Sequence, residues 1–363
     1  MTYALAHCSL SPHNRQTGLS LVELMISLTI GLVLLAGLTT LIVQQSNTRN
    51  ELEKSSRQIE NGRYAMQILH GDIQHAGFYG QYFTVPAANT VMAAMPDPCT
   101  TTLALLDTAM SLPIQGYDAP ATVAAPLSGC LNDANHVAGT DILVIRRADS
   151  GTTTIANAAA GTGGLVYLQA SAASHVLNTG TAADTTKFPL TYSTTANTGA
   201  VELRPYLVYI YFISPCSTMN NGATCTATDD GGRPIPTLKR LELSASGAAT
   251  AFTLTPLVEG IENMQLDYGL DNDNDGYPDA YTTAPATVTA WSNVMAIRVN
   301  LLARNNDPTT GHVDAKNYCL SGNATLCVAG NASYVSAPND TYKRHVFSEL
   351  IRTTNPSGRR ALQ

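Results

Sequence analysis

The chain has 363 residues, of which 44% are hydrophobic and 13% are charged, and its formal net charge is −7. These values exclude a strongly basic nucleic-acid binder and a disordered chain. The sequence contains one apolar run of membrane-spanning length, which excludes a membrane protein with several spanning helices. The length predicts about two domains, or one domain with a long appendage. Low charge favours an extracytoplasmic, β-rich body over a cytosolic enzyme.

The first predicted element is an apolar helix from Leu19 to Val43, in which Glu23 is the single charged residue. Such a helix would be about 37 Å long, enough to cross a bilayer core of about 30 Å. A secretory signal peptide has a shorter apolar core and a small-residue cleavage site, and this run has neither. Two interpretations remain: a plain anchor whose Glu23 reaches the interface, or a segment in which the carboxylate has a function.

The residues around Glu23 favour the second interpretation. The run from Gly18 to Leu28 resembles the class III signal of type IV pilins and pseudopilins. The resemblance implies that a prepilin peptidase removes residues 1–18, cutting between Gly18 and Leu19, and that Leu19 is then N-methylated. Leu19 departs from the phenylalanine that is usual after the cut. The resemblance also implies that Glu23 pairs with a neighbouring subunit's N-terminal amine, which neutralises two charges in an apolar environment.

The helix is predicted to continue over residues 44–77 as an amphipathic stalk. Its apolar residues recur at helical spacing on one face, and they are Leu52, Ile59, Met66, Leu69, Ile73 and Ala76. Gly62 is one of several glycines predicted to mark bends, and Gly77 and Gly80 are predicted to end the helix.

Two further segments sharpen the assignment. Residues 60–80 and 342–352 resemble the PilW family of minor pilins and, more loosely, the J-type minor pseudopilins of type II secretion. The resemblance implies an α+β, pilin-like fold, in which a long N-terminal helix packs on a mostly antiparallel β-sheet head with long loops and disulfides. The head would comprise residues 78–363.

The head is predicted to contain eight strands, with the clearest polar–apolar alternation within residues 296–301. The predicted strands are Asp141–Arg147, Leu165–Gln169, Tyr206–Ser214, Leu238–Leu243, Phe252–Leu257, Met264–Leu270, Val294–Ala303 and Arg344–Arg352. We expect these strands to form a single sheet on the C-terminal half of the helix. The Thr-, Ala-, Gly- and Ser-rich stretches near 148–164 and 170–200 are predicted to be loops.

Seven cysteines occur in the chain, and Cys8 lies in the predicted leader. Six remain after cleavage, and they allow 15 pairings. Their clustering favours the sequential pairs Cys99–Cys130, Cys216–Cys225 and Cys319–Cys327. Zinc binding is the alternative, but the sequence has no C-x-x-C pair. Disulfides would indicate an oxidising compartment, here a bacterial periplasm.

The segment Asp271–Asp279 carries four aspartates in nine residues and has no nearby Lys or Arg in sequence. Its spacing matches the first part of an EF-hand loop, with Gly276 at the sharp turn. The twelfth position is Thr282 instead of glutamate, so a complete EF-hand is absent. We expect a shorter calcium loop. Its candidate ligands are Asp271, Asp273, Asp275, Asp279 and the carbonyl of Tyr277. The alternative is a polar hairpin turn.

No nucleophile elbow, zinc-protease motif, P-loop or dinucleotide fingerprint occurs, so we expect no enzyme and no cofactor apart from the possible Ca²⁺. The resemblance implies a minor pilin that primes type IV pilus assembly or lies at the pilus tip. Its partners would be the prepilin peptidase, other minor pilins, the major pilin and the inner-membrane assembly platform. It would lie in the inner membrane with its head in the periplasm, and later on the pilus surface.

Two alternatives remain open. The first is a minor pseudopilin of a type II secretion system. The second is a DNA-uptake or adhesive pilus subunit. Nucleic-acid binding is unexpected for an acidic chain, although a local basic patch of Lys343, Arg344 and Arg352 would permit it.

Overall fold

The computed structural model describes residues 18, 20–161, 163–180, 186–192 and 199–361. The predicted leader residues 1–17 and the predicted methylation site Leu19 lie outside the described residues. The chain divides into two compact units, residues 1–53 and residues 54–363. Residues 54–363 are called the head unit below.

The elements are as follows. The helices are α1 (Leu21–Gln74), α2 (Ala88–Val91), α3 (Leu103–Ala109), α4 (Ile155–Ala160), α5 (Asp229–Gly232), α6 (Val288–Ser292) and α7 (Thr354–Arg360). The strands are β1 (Ile114–Tyr117), β2 (Ile142–Ala148), β3 (Val166–Ala170), β4 (His175–Thr179), β5 (Leu203–Ser214), β6 (Thr237–Ser246), β7 (Ala249–Glu259), β8 (Ile261–Leu270), β9 (Ala280–Thr282), β10 (Val294–Arg304), β11 (Tyr318–Cys319), β12 (Tyr334–Val335) and β13 (Arg344–Arg352). Three short 3₁₀ turns also occur, at Leu127–Gly129, Asp133–Asn135 and Ala324–Leu326.

In the first unit, α1 exposes every side chain from Leu21 to Asn50. This part of α1 is apolar and long enough to cross a membrane, and none of its most apolar window is buried. The predicted apolar helix is therefore present, and its apolar surface has no cover within the described residues of the unit.

In the head unit, the C-terminal part of α1 buries one face against the sheets. Met66, Leu69 and Ile73 lie on this face, as predicted. The prediction was wrong for Ile59, which is 37% exposed, and for Leu52 in the first unit, which is 66% exposed. Gln58 is buried where Ile59 was expected, because its amide donates to two backbone carbonyls of the head, at 2.8 and 2.9 Å. Apolar spacing could not show that an amide satisfies these carbonyls.

The glycines of α1 have two different roles. Gly62 does not interrupt the helix. It allows close approach instead, because a Cβ at this position would collide with the ring of Phe347. Gly77 and Gly80 have φ values of +70° and +64°, a conformation that favours glycine. They follow directly after α1 and confirm the predicted helix end.

The head unit contains two main sheets and a two-stranded ribbon, β11–β12. The larger sheet has the order β1-β2-β5-β3-β4, and β6 joins β5 while β7 joins β6. The smaller sheet has the order β13-β10-β8-β9. All paired strands are antiparallel, as expected.

The prediction of a single sheet was wrong. Between β7 and β8, Gly260 has a φ of +77°, and a Cβ there would lie 2.7 Å from the carbonyl oxygen of Arg304. The chain turns at this glycine, and β8 then pairs with β10 instead of extending the first sheet. Alternation identifies strands but carries no information on which non-local partners they pair with.

All eight predicted strands are present with slightly shifted ends. The interpretation of residues 148–164 and 170–200 as loops was wrong in part, because the stretches contain α4 and β4. Strand β4 is short and pairs only with β3, so it lies at a sheet edge, where a long alternating pattern is not required.

The core lies on both faces of the larger sheet. Along β5, Tyr209, Tyr211 and Ile213 face α1, while alternate residues face the segment that follows α1. That second layer is built around Tyr79, Leu106 and Met110. The long central strand is therefore buried on both sides, which explains its nearly continuous apolar sequence.

Candidate functional site

The predicted processing site lies immediately before the first turn of α1. Gly18 and Ser20 are outside the helix, which begins at Leu21. The hydroxyl of Ser20 accepts a hydrogen bond from the Glu23 backbone N–H at 3.2 Å, and the Ser20 carbonyl accepts one from the Leu24 N–H at 3.1 Å. Ser20 therefore caps the helix. The sequence contained this signal as Ser-x-x-Glu, but its capping role was not recognised.

Glu23 lies in the exposed first turn of α1. No described residue of this chain donates a hydrogen bond to its carboxylate. Its neighbours along the helix are uncharged and mostly apolar over the whole predicted spanning segment. Within a membrane, such a carboxylate would be costly without a counter-charge.

The acidic loop Asp271–Asp279 is organised around the buried carboxylate of Asp271. This carboxylate accepts backbone N–H groups from Asn274 at 2.7 Å and Gly276 at 3.0 Å. The guanidinium of Arg360, in α7, lies 3.3 Å away. Burial raises the pKa of Asp271, but the two N–H groups and Arg360 outweigh it, so the net shift is downward. The carboxylate is therefore held in its charged form.

The four aspartates of the loop do not all lie together. Carboxylate oxygens of Asp271, Asp273 and Asp275 lie within 4.8 Å of one another. Asp279 instead accepts the Asn272 backbone N–H at 2.7 Å and is not part of this group. Tyr277 donates its backbone N–H to Asp275 at 2.8 Å. The structure thus brings together three of the four predicted carboxylates.

One premise of the calcium prediction was wrong, because the loop does have a basic neighbour. Arg360 follows Asp271 by 89 positions in sequence, and only the fold brings it to the loop. Arg360 also donates to the side chain of Asn274 at 3.0 Å and to the backbone carbonyl of Ser292 at 3.2 Å. Calcium binding by this loop stays a prediction, and any cation would compete with Arg360 for Asp271.

The structure contains the three expected disulfides, Cys99–Cys130, Cys216–Cys225 and Cys319–Cys327. The first two close loops of the head unit beside the larger sheet. Cys216 and Cys225 lie close to Asp229 in an arrangement that resembles a metal site, but their sulfurs are bonded to each other and are not available as thiolates. This excludes zinc binding by this group in the structure.

The predicted basic patch does not form a free cationic surface. The Arg344 side chain is 1% exposed and pairs with Asp340 at 2.6 Å, Asp314 at 3.1 Å and Glu262. The hydrogen bond from Arg344 lowers the pKa of Asp340. Arg352 lies over the ring of Tyr277 at 4.4 Å. The prediction for Arg344 was therefore wrong, because two of its three carboxylate partners, Asp314 and Glu262, are distant in sequence.

Sequence reasoning also missed a buried ionic cluster on α1. The carboxylate of Asp72 lies 2.9 Å from Arg147 and 3.8 Å from Arg240. The hydroxyl of Tyr211 donates to the same carboxylate. Burial, together with the charge of Asp72, raises the pKa of Tyr211 well above its ordinary value. Asp72 therefore connects α1 to β2, β5 and β6, a role that the pattern of apolar residues does not reveal.

Comparison with known proteins gives two family matches. Residues 211–355 match the family described as Type IV Pilus-assembly protein W, and residues 13–39 match the Prokaryotic N-terminal methylation motif. A type IV-like pilin from Thermus thermophilus aligns with a TM-score of 0.26 and 12% identity, covering 61% of this chain and 81% of that chain. No curated protein sequence matches the chain. The two family matches confirm the predicted resemblance to PilW and the prepilin signal.

Proposed function

We propose that this type IV pilin-like protein, with its prepilin signal and its PilW-like head, is a minor pilin that primes pilus assembly or caps the filament tip. One observation carries the proposal: Glu23 is the single charged residue in the exposed, apolar part of α1, residues 21–43. A helix of this kind is covered either by lipid or by the helices of other subunits. The role is structural and requires no catalytic residue.

Processing is the first step of the proposed mechanism. A prepilin peptidase would cut between Gly18 and Leu19, and the new amine at Leu19 would be methylated. The bond lies before the capped first turn of α1, and a peptidase acts on backbone that is not held in a helix. The Ser20 cap holds the first turn of α1, in which Glu23 lies.

Assembly is the second step. The Glu23 carboxylate would pair with the amine of a neighbouring subunit, and both charges would be neutralised among apolar side chains. The exposed apolar surface of α1 would then be buried against neighbouring helices. Outside the lipid, this burial keeps the apolar surface from water, whose contact would cost about 25 cal/mol per Å². Glu23 fixes the register of the helices.

The protein would begin in the inner membrane with its head in the periplasm. The three disulfides support this orientation, because disulfides persist in oxidising compartments. From there it would join other minor pilins, the major pilin and the inner-membrane assembly platform. The assembled pilus would serve surface functions such as adhesion and twitching motility.

The Gly18→Ala variant tests processing. We expect uncleaved precursor, because the peptidase would no longer find its glycine, and a slower-migrating band in immunoblots would show it. Gly31→Ala is the matched control, since a Cβ at Gly31 in α1 meets no atom within 4 Å. Normal maturation of Gly18→Ala would contradict the proposed cleavage site.

The Glu23→Ala variant tests assembly. We expect normal cleavage but impaired piliation and weak co-purification with other pilins. Glu60→Ala removes an exposed carboxylate from the head part of α1 and should assemble normally. Normal piliation together with normal co-purification of Glu23→Ala would count against the mechanism.

The secretion alternative is distinguished by the partners. Crosslinking in cells, followed by mass-spectrometric identification, should recover pilus subunits if the proposal is correct. Recovery of pseudopilins, with loss of protein secretion on deletion of the gene, would assign the chain to a type II secretion system. Burial of the Arg344 side chain removes one of the three residues of the basic patch predicted for the DNA-uptake alternative. Filter binding across salt concentrations tests it directly.

A further inference from the structure

The head unit contains a cavity of about 520 Å³ beside the β6–β7 hairpin. One face of the hairpin forms a wall of the cavity, through Lys239 and Leu241 of β6 and Phe252, Leu254 and Pro256 of β7. In the register of the hairpin, Lys239 is opposite Pro256 and Leu241 is opposite Leu254. Ligand pockets commonly have this size and consist of apolar walls with a few polar groups.

Two segments that disulfides tether form the other walls. The first contains Leu131 and follows Cys130, which is bonded to Cys99. The second contains Met219 and lies between Cys216 and Cys225. The disulfides therefore hold the mouth and walls of the cavity in place, which is typical of a preformed site.

Lys239 is the unusual residue of the cavity, because its side chain is only 1% exposed yet carries a charge. Its Nζ has a single hydrogen-bond partner among the described residues, the Cys216 sulfur at 3.9 Å. A disulfide sulfur is a weak acceptor. No described carboxylate forms a salt bridge with Lys239. Fully buried lysines are almost always paired, and an unpaired buried charge is costly.

The nearest acidic residues do not supply the missing partner. Asp230 accepts the backbone N–H groups of Ser217 and Thr218, each at 2.8 Å. Asp229 accepts the backbone N–H of Asn220 at 3.0 Å. Burial lowers the pKa of Lys239, and the charges of Asp230 and Asp229 offset this only in part. The ammonium group is thus under-coordinated at the edge of an apolar space.

We propose that this cavity binds a small carboxylate with an apolar tail, whose carboxylate pairs with Lys239 while its tail lies against Leu241, Phe252 and Leu254. The apolar wall favours a hydrocarbon chain, and the buried cation favours a single negative charge at its inner end. This ligand site is independent of the proposed role in pilus assembly.

The test uses the full chain in lipid nanodiscs and sodium hexanoate as the probe, with saturation-transfer NMR as the measurement. We expect hexanoate to bind, 1-hexanol to bind more weakly, and hexylammonium not to bind. Lys239→Met should weaken hexanoate binding at least tenfold and leave 1-hexanol binding unchanged, because only the carboxylate uses the ammonium. Empty nanodiscs account for uptake of the probe by lipid.

Lys316→Met is the matched control, because it removes an exposed lysine of the same unit and should bind hexanoate as the unaltered protein does. Lys239→Arg keeps the positive charge and should retain most of the binding. Thermal unfolding of each variant verifies folding, and Lys239→Gln replaces Lys239→Met if the latter does not fold. Hexanoate binding no greater than to empty nanodiscs, or equal binding by the neutral Lys239 variant, would overturn the proposal.

Discussion

The two parts of α1 differ in which side chains they expose and which they bury. In residues 21–43 every apolar side chain is exposed, and the one charge, Glu23, has no described partner. In residues 54–74 two polar side chains, Gln58 and Asp72, are buried and fully engaged with the head. One continuous helix therefore contains a part whose apolar side chains are exposed and a part whose polar side chains have partners within the chain.

This contrast shows that hydropathy alone does not determine which residues of a helix are buried. An exposed apolar surface indicates that another body covers it, whether lipid or a second subunit. A buried polar group indicates that its hydrogen bonds are made locally, since an unsatisfied one would be costly. In the proposed function, the first part serves assembly, while the second part packs against its own head.

The largest expected effect comes from breaking the buried ionic partners of the head. Arg344→Met would leave Asp314, whose side chain is 2% exposed, without its cationic partner. We expect the free energy of unfolding to fall by about 3–5 kcal/mol, the usual effect of removing one member of a buried ion pair. Urea unfolding followed by the fluorescence of Trp291, the one tryptophan in the sequence, measures it.

The control for this measurement is Arg233→Met, which removes an exposed arginine of the same unit. Its effect should stay within about 0.5 kcal/mol, as is usual for surface substitutions. Equal stability of Arg344→Met and Arg233→Met would show that the ionic cluster contributes nothing to the head.

A smaller effect is expected at the point where α1 joins the sheets. Asp72→Asn would remove the charge that faces Arg147 and Arg240 but keep the shape of the side chain. We expect a loss of about 2 kcal/mol, since the two cations are only partly buried and water can reach them. The same tryptophan signal measures it, and the exposed Asp307→Asn is the matched control.

The extent of sequence prediction differs between local and distant features. The prepilin signal, the helix-ending Gly77 and the eight strands depend on short stretches of sequence. The family match confirms the signal, and the structure contains Gly77 at the helix end and all eight strands. The disulfide pairs were predictable because each closes a local loop.

The missed features depend on residues that are far apart in sequence. Asp72 pairs with arginines from two strands, and Asp271 pairs with Arg360 in the last helix. The division into two sheets likewise depends on which strands pair after Gly260. Propensity and periodicity describe a residue and its neighbours in sequence, so they do not predict which distant residues pair in the fold.

The acidic loop offers a third test, because it combines an exposed part with a buried ion pair. We expect calcium titration calorimetry to show binding with a Kd of roughly 10⁻⁴–10⁻³ M, as in extracellular calcium modules. Arg360→Ala should tighten binding several-fold, since it removes the cation that competes for Asp271. Asp273→Asn should weaken it, because it removes one carboxylate from the group of three.

Asp307→Asn again provides the control, as it changes an exposed aspartate outside the loop. No heat at millimolar calcium, from either the unaltered protein or Arg360→Ala, would contradict the calcium prediction. The loop would then be a polar turn held by Arg360 and its own backbone hydrogen bonds.

The smallest expected effect on stability is at Glu23. This variant is the most direct test of the difference between the exposed and the buried part of α1. Glu23→Gln keeps the side-chain shape and removes the charge in the exposed first turn of α1. Because no described residue of the chain pairs with this carboxylate, unfolding of the head, measured by Trp291 fluorescence, should change by less than about 0.5 kcal/mol. Incorporation into pili should nevertheless fall sharply, since the neighbour's amine would lose its counter-charge. Asp72→Asn should show the opposite result. It should clearly lower the stability of the head, and its incorporation into pili should fall only in proportion to the fraction of unfolded protein. If Glu23→Gln destabilised the head, its carboxylate would have a partner within the chain, and the division of α1 into an assembly part and an anchoring part would be wrong.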